Sequence, residues 1–242
     1  MGNKETKEVK KIVYLLPNMF TALNLGCGFF SIITLQQGLF FEACLLLIAG
    51  SLFDSVDGRI ARITGTNSSF GEQFDSISDV VSFGIAPAFL IYHRFLFDHG
   101  RLGIIICFIF CLCGSLRLAR FNANVNNVSS DYFQGLPIPM AAMALIGYTL
   151  VSFVFPLPFP NHYLTIPYVL FYSFLMISNI PFNSFKNSKF VKEYLNIILL
   201  IIIALICLII IYEKVAIFLL VQIYTFGGIF YYLINRGSMK NE

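Results

Sequence analysis

The chain has 242 residues, of which 57% are hydrophobic and 12% charged, with a formal net charge of +3. A water-soluble domain carries roughly 25% charged residues, so a chain this apolar has to bury most of its surface in lipid, which excludes a soluble globular enzyme. Its basic residues are scattered between apolar runs without interleaved aromatics and give no footprint for a nucleic-acid partner. The pattern predicts an all-α, polytopic transmembrane helical bundle.

In chain order, residues 1–18 read as a cytoplasmic amphipathic segment, in which Lys4, Lys7, Lys10 and Lys11 are set among Val9, Ile12 and Val13. The segment is a poor secretory signal, because Pro17, Asn18 and Asn24 interrupt the apolar run that follows. Residues 19–180 form a transmembrane core, and residues 181–242 a C-terminal helix pair with a short cytoplasmic tail. About eight spans are expected, near residues 19–36, 39–59, 74–97, 102–120, 139–155, 164–178, 194–211 and 216–234. Eight spans put both termini on one side, together with 13 of the 16 Lys and Arg residues. By the positive-inside rule that side is the cytoplasm. The six cysteines, Cys27, Cys44, Cys107, Cys111, Cys113 and Cys207, lie in apolar surroundings and read as small buried residues.

The chemistry concentrates where the second span ends and the third begins. Asp54 and Asp57 are spaced i, i+3, and Asp75 and Asp79 are spaced i, i+4. Each pair therefore shares one face of its helix. The segment between them is short and rich in Thr, Ser, Asn and Gly, so the two helices should form an antiparallel hairpin that brings four carboxylates together. Charge at a membrane boundary is a functional candidate by default. Converging carboxylates need cations, and hard oxygen ligands with no His or Cys nearby favour Mg²⁺ or Mn²⁺. Two divalent ions in such a cluster suit attack at phosphorus, and Arg62 would sit close enough to bind phosphate. A cation pathway in a transporter is the rival reading, but no charged residues lie deep inside the other spans, where coupling groups are usually placed.

The spacing Asp-x-x-Asp-Gly-x-x-Ala-Arg-x8-Gly-x3-Asp-x3-Asp, from Asp54 to Asp79, resembles the signature of the CDP-alcohol phosphatidyltransferase family, with no departure. The resemblance implies a catalytic core over residues 19–180, a homodimer, and phospholipid biosynthesis in a membrane; the short chain suggests a prokaryotic plasma membrane, and the basic asymmetry puts the active site on its cytoplasmic side. It implies that Asp54, Asp57 and Asp75 are metal ligands. Asp79 would be both a ligand and the general base. Gly58 and Arg62 would contact the CDP moiety, and Ser68 its phosphate. The stretch Pro17 to Asn24 resembles the family's nucleotide-contacting first span, with Thr21 and Asn24 as its polar candidates. The donor would be CDP-diacylglycerol, with CMP leaving.

Three further stretches, Ser82 to Ala88, Arg117 to Asn122 and Phe133 to Ala142, resemble the branch of the family whose acceptor is serine. Arg117 and Arg120 share a helix face, and an Arg fork suits the carboxylate of L-serine. It suits the phosphate of glycerol 3-phosphate or inositol phosphate equally well, so charge alone leaves the acceptor open.

Overall fold

The computed structural model describes residues 2–66, 68–124, 132–155, 161–183 and 213–235. Helix α1 (Gly2–Gln36) runs unbroken through Pro17, so the amphipathic segment and the first span are one helix. A turn at Gly38, in the left-handed region at φ 76°, leads to α2 (Phe40–Thr64), which packs along the length of α1. Gly65 adopts a left-handed φ of 62° and donates its N–H to the Ala61 carbonyl, ending α2. The next helix, α3 (Ser69–Asp79), starts on Ser68, whose hydroxyl accepts from the N–H of Gly71 at 3.1 Å.

Beyond α3 the third span departs from the regular helix expected. A π-helical turn (Val80–Ile85) follows Asp79 directly, and then come α4 (Ala86–Ile91), a second π turn (Tyr92–Leu96) and a 3₁₀ turn (Phe97–His99). Two features favour the first widening. Pro87 has no N–H for the preceding turn, and Ser82 reaches across to α1, donating to the Asn24 carbonyl at 2.9 Å. Gly28 permits that approach, since a Cβ there would lie 2.8 Å from the Ser82 Cα. Wide turns of this kind recur at functional sites.

Helix α5 (Gly100–Asn124) reverses direction at Gly100 and packs back on the preceding leg. Then come β1 (Tyr132–Gln134), α6 (Ile138–Val151), α7 (Asn161–Ile177), β2 (Pro181–Asn183) and α8 (Glu213–Asn235). The antiparallel pair β1 and β2, with Phe133 opposite Phe182, is a small exception to the all-α expectation. The main core gathers Phe83, Phe110, Leu136, Leu145, Tyr172 and Met176, and a second cluster joins Leu35, Leu47, Leu90 and Leu150.

Three helical stretches among the described residues are long and apolar enough to cross a membrane: Leu15–Gln36, Ser69–Ala123 and Lys214–Ile234. The second of these holds both legs of the turn at Gly100. Ile138–Val151 and Tyr163–Ile177 are shorter apolar helices. Helix α2 has the length, but its second half carries Asp54, Asp57, Arg59 and Arg62. The span expected at residues 194–211 lies outside the described residues. Many large side chains face outward, among them Phe29, Phe30, Leu52, Ile63, Phe70, Phe108 and Ile223. That surface suits lipid, and the chain is a helical membrane protein.

Candidate active site

The hairpin of α2 and α3 does what the acidic spacing requires. Carboxylate oxygens of Asp54, Asp57 and Asp75 all lie within 4.8 Å of one another. Asp57 is buried, and Asp54 and Asp75 are half-buried. Asp79 stands beside this trio, not inside it. It is buried, comes within hydrogen-bonding reach of Asp54, and has Asp75, Asp57 and Arg117 as further charged neighbours.

The cluster is poor in donors. The Oδ1 atoms of Asp75 and Asp79 are buried without a hydrogen-bond partner. One carboxylate is supported from outside: the Thr21 hydroxyl lies 2.9 Å from Asp57 Oδ2 and 3.2 Å from the Pro17 carbonyl, with one proton to share between them. Ser78 ties α3 to the same turn of α1, donating to the Thr21 carbonyl at 3.2 Å. Negative oxygens without donors, packed in one place, fit hard divalent cations. Among the described residues no Cys or His joins such a group, and the described cysteines are free thiols.

Above the trio opens a cleft of about 130 Å³, lined by residues of α1, α2 and α3 that include Asn18, Thr21, Asp57, Gly58, Ser68 and Asp75. Thr21, Gly58 and Ser68, the expected nucleotide contacts, are brought together in the lining of this one cleft. Gly58 has open space where a Cβ would point. Arg62 is exposed one turn beyond Gly58, with its Nε donating to the Gly58 carbonyl at 2.9 Å. Asn24 sits deeper. It is fully buried, away from the cleft lining, and both its side-chain polar atoms lack partners. Asn18 and Glu72 line the cleft and were not singled out by the sequence. Asn18 precedes Thr21 by three residues on the same helix face, which was the available signal.

The two arginines of α5 differ sharply. Arg120 donates through Nη1 to the Ile177 carbonyl at 3.0 Å, and through Nη2 to the Gln134 and Ser178 carbonyls at 3.1 and 3.2 Å. Its guanidinium pins the end of α7 to β1. Arg117 is buried, its Nε has no partner, and Asp79 is a charged neighbour. The Phe121 ring lies 5.5 Å from its guanidinium carbon.

Residues 14–185 match the model of the CDP-alcohol phosphatidyltransferase family. The match spans well over half of the chain and the whole of the acidic hairpin, and the chain belongs to that family. Its relatives include a CDP-diacylglycerol–serine O-phosphatidyltransferase of Helicobacter pylori, 37% identical over 73% of this chain and 75% of that protein. The enzyme of the same name from Methanocaldococcus jannaschii is 39% identical over 76% of this chain and 80% of its own length. An archaetidylserine synthase of Methanothermobacter thermautotrophicus is 42% identical over 57% of this chain and 59% of that protein.

Proposed function

We propose that the chain transfers the phosphatidyl group of CDP-diacylglycerol to the hydroxyl of L-serine, giving phosphatidylserine and CMP. The observation that carries the reading is the convergence of Asp54, Asp57 and Asp75 within 4.8 Å, at the foot of a cleft and in a chain of this family. Serine is supported by the names of the relatives, which share that acceptor while differing in the lipid.

Asp54, Asp57, Asp75 and Asp79 would hold two divalent ions, Mg²⁺ or Mn²⁺. When bound, such ions offset the charge of the donor's diphosphate and of departing CMP. The protein's own groups do the rest. Thr21 fixes the Asp57 carboxylate through their hydrogen bond. Thr21, Gly58 and Ser68 wall the cleft that takes the CDP moiety, and Arg62, one turn beyond Gly58, offers a charged donor to phosphate. Asn24, a turn deeper on α1, supports the same face. Asp79 accepts the proton of the serine hydroxyl. The freed oxygen bonds to the β-phosphorus, the one bearing diacylglycerol, as the bond from that phosphorus to the CMP oxygen breaks. Arg117, whose buried Nε lacks a hydrogen-bond partner and which has Asp79 as a charged neighbour, receives the serine carboxylate and so places the hydroxyl next to its base. Arg120 holds the floor of that site in position through its carbonyl contacts.

The asymmetry of basic residues supports a cytoplasmic active site and cytoplasmic termini. Family membership supports a homodimer in a membrane, and the bacterial and archaeal relatives suit a prokaryotic plasma membrane. The test is CMP release from CDP-diacylglycerol with serine, glycerol 3-phosphate or inositol phosphate in separate reactions. Release with serine is expected. Release with glycerol 3-phosphate or inositol phosphate but not with serine would move the chain to another branch of the family.

A further inference from the structure

Among the described residues, the end of the bundle away from the carboxylates holds three cations that the transfer chemistry does not use, exposed Arg101 and the two that sit against aromatic rings, Arg94 and Lys214. Arg94 lies in the second π turn, about 15 residues beyond Asp79 and so roughly 20 Å along the helix. It stands just before the reversal at Gly100. Phe40 opens α2, Phe153 lies in the turn that closes α6, and Lys214 stands at the start of α8. Chain segments begin or end together here, as they do where helices leave a bilayer.

Three rings surround Arg94 and one flanks Lys214. The guanidinium carbon of Arg94 lies 4.9 Å from the Phe153 ring centroid, 5.4 Å from that of Phe40 and 5.9 Å from that of Phe95. Lys214 Nζ is 5.2 Å from the Phe41 centroid. The Phe41 and Phe153 rings meet edge to face at 6.2 Å, joining the two halves into one cluster. Arg94 Nε is buried with no hydrogen-bond partner. Among the described residues no carboxylate pairs with either cation, Glu42 and Asp98 included.

An arginine that merely anchors a helix end extends its head into water. Arg94 instead has its Nε sealed off beneath aromatic faces. Cation–π contacts ease that burial but supply no counter-charge and no acceptor. The missing group is an anion with oxygen acceptors for the guanidinium, drawn by the nearby ammonium, with apolar stems that lie along phenylalanine rings. A phosphate diester in a lipid headgroup has those properties, and it is the anion found at this depth of a membrane.

We propose that Arg94 and Lys214, with Phe40, Phe41 and Phe153, form a binding site for the phosphate of an anionic phospholipid in the leaflet opposite the carboxylate cleft. Lipid held there ties the starts of α2 and α8 to the turn after α6, so its binding should stabilise the bundle.

The test uses the purified full chain in neutral detergent, with its thermal unfolding midpoint followed against added phosphatidylglycerol, phosphatidylcholine or inorganic phosphate. Phosphatidylglycerol should raise the midpoint, with little response to the other two. Arg94→Gln and Lys214→Gln should each raise the phosphatidylglycerol concentration needed by roughly fivefold. Arg101→Gln, which removes an exposed cation at the same end, should leave it unchanged. If Arg94→Gln does not fold, Lys214→Gln carries the comparison. An equal response to phosphatidylcholine or inorganic phosphate overturns the proposal, as does a loss in Arg101→Gln matching that in Lys214→Gln.

Discussion

The Thr21 hydroxyl reaches across from α1 to lie 2.9 Å from Asp57 Oδ2 on α2. The contact joins the first span to the acidic hairpin and leaves Asp57 oriented before any ion arrives. Outer contacts of this kind typically change metal affinity by 10–100-fold when lost. Thr21→Val keeps the shape and removes the donor. We expect the Mg²⁺ or Mn²⁺ concentration for half-maximal CMP release to rise by about tenfold or more, and Thr21→Ser to restore most of the loss. An unchanged metal dependence in Thr21→Val would assign the contact to helix packing alone.

Asp79 is buried at the start of the π turn, beside the trio and next to Arg117. Asp79→Asn preserves its size and removes its capacity to take a proton. CMP release should fall by roughly 10²–10⁴-fold, the range for loss of a general base. Circular dichroism and size-exclusion behaviour should match the parent protein. Near-full turnover would rule Asp79 out as the base.

Arg117 and Arg120 should separate cleanly. Arg117→Lys keeps the charge but loses the fork, and should raise the KM for serine with little change in the KM for CDP-diacylglycerol. Arg120→Ala removes donors to the Ile177, Gln134 and Ser178 carbonyls, each of which would then need a new partner. Its first effect should be a thermal midpoint lowered by several degrees, since about 1 kcal/mol corresponds to roughly 2–4 °C in a chain of this size. A serine-specific KM change in Arg120→Ala with no loss of stability would reverse the two assignments.

Four carboxylates with few donors make a sharp prediction for metal removal. Chelation should abolish CMP release while leaving helix content intact, because the core clusters of Phe83, Phe110 and Tyr172 do not depend on the site. Mg²⁺ or Mn²⁺ should restore activity. Zn²⁺ should restore it poorly, because among the described residues no nitrogen or sulfur ligand joins the acidic groups. Activity that survives exhaustive chelation would contradict the assignment of the carboxylates.

The acidic hairpin was legible because its information is local. Helical spacing puts Asp54 with Asp57 and Asp75 with Asp79, and a short polar turn brings the pairs together. The offset of Asp79 from the trio was not legible, because it depends on how α3 leans on α1 through Ser78. The π turns escaped for a similar reason, since Ser82 bonds a carbonyl 58 residues earlier. Arg117 and Arg120 looked equivalent at i, i+3. Their difference comes from β1, β2 and the end of α7, whose three-residue strands carry no periodic signal. Asn18 was visible on the Thr21 face but was passed over for Asn24, which turned out to lie beneath the cleft.

The most direct test is anomalous scattering from crystals of the full chain grown with Mn²⁺ and CDP. Two manganese peaks roughly 3.5–4 Å apart should lie among Asp54, Asp57, Asp75 and Asp79, with the diphosphate against them in the cleft of Thr21, Gly58 and Ser68. Manganese bound elsewhere, or a nucleotide seated away from those carboxylates, would contradict the account.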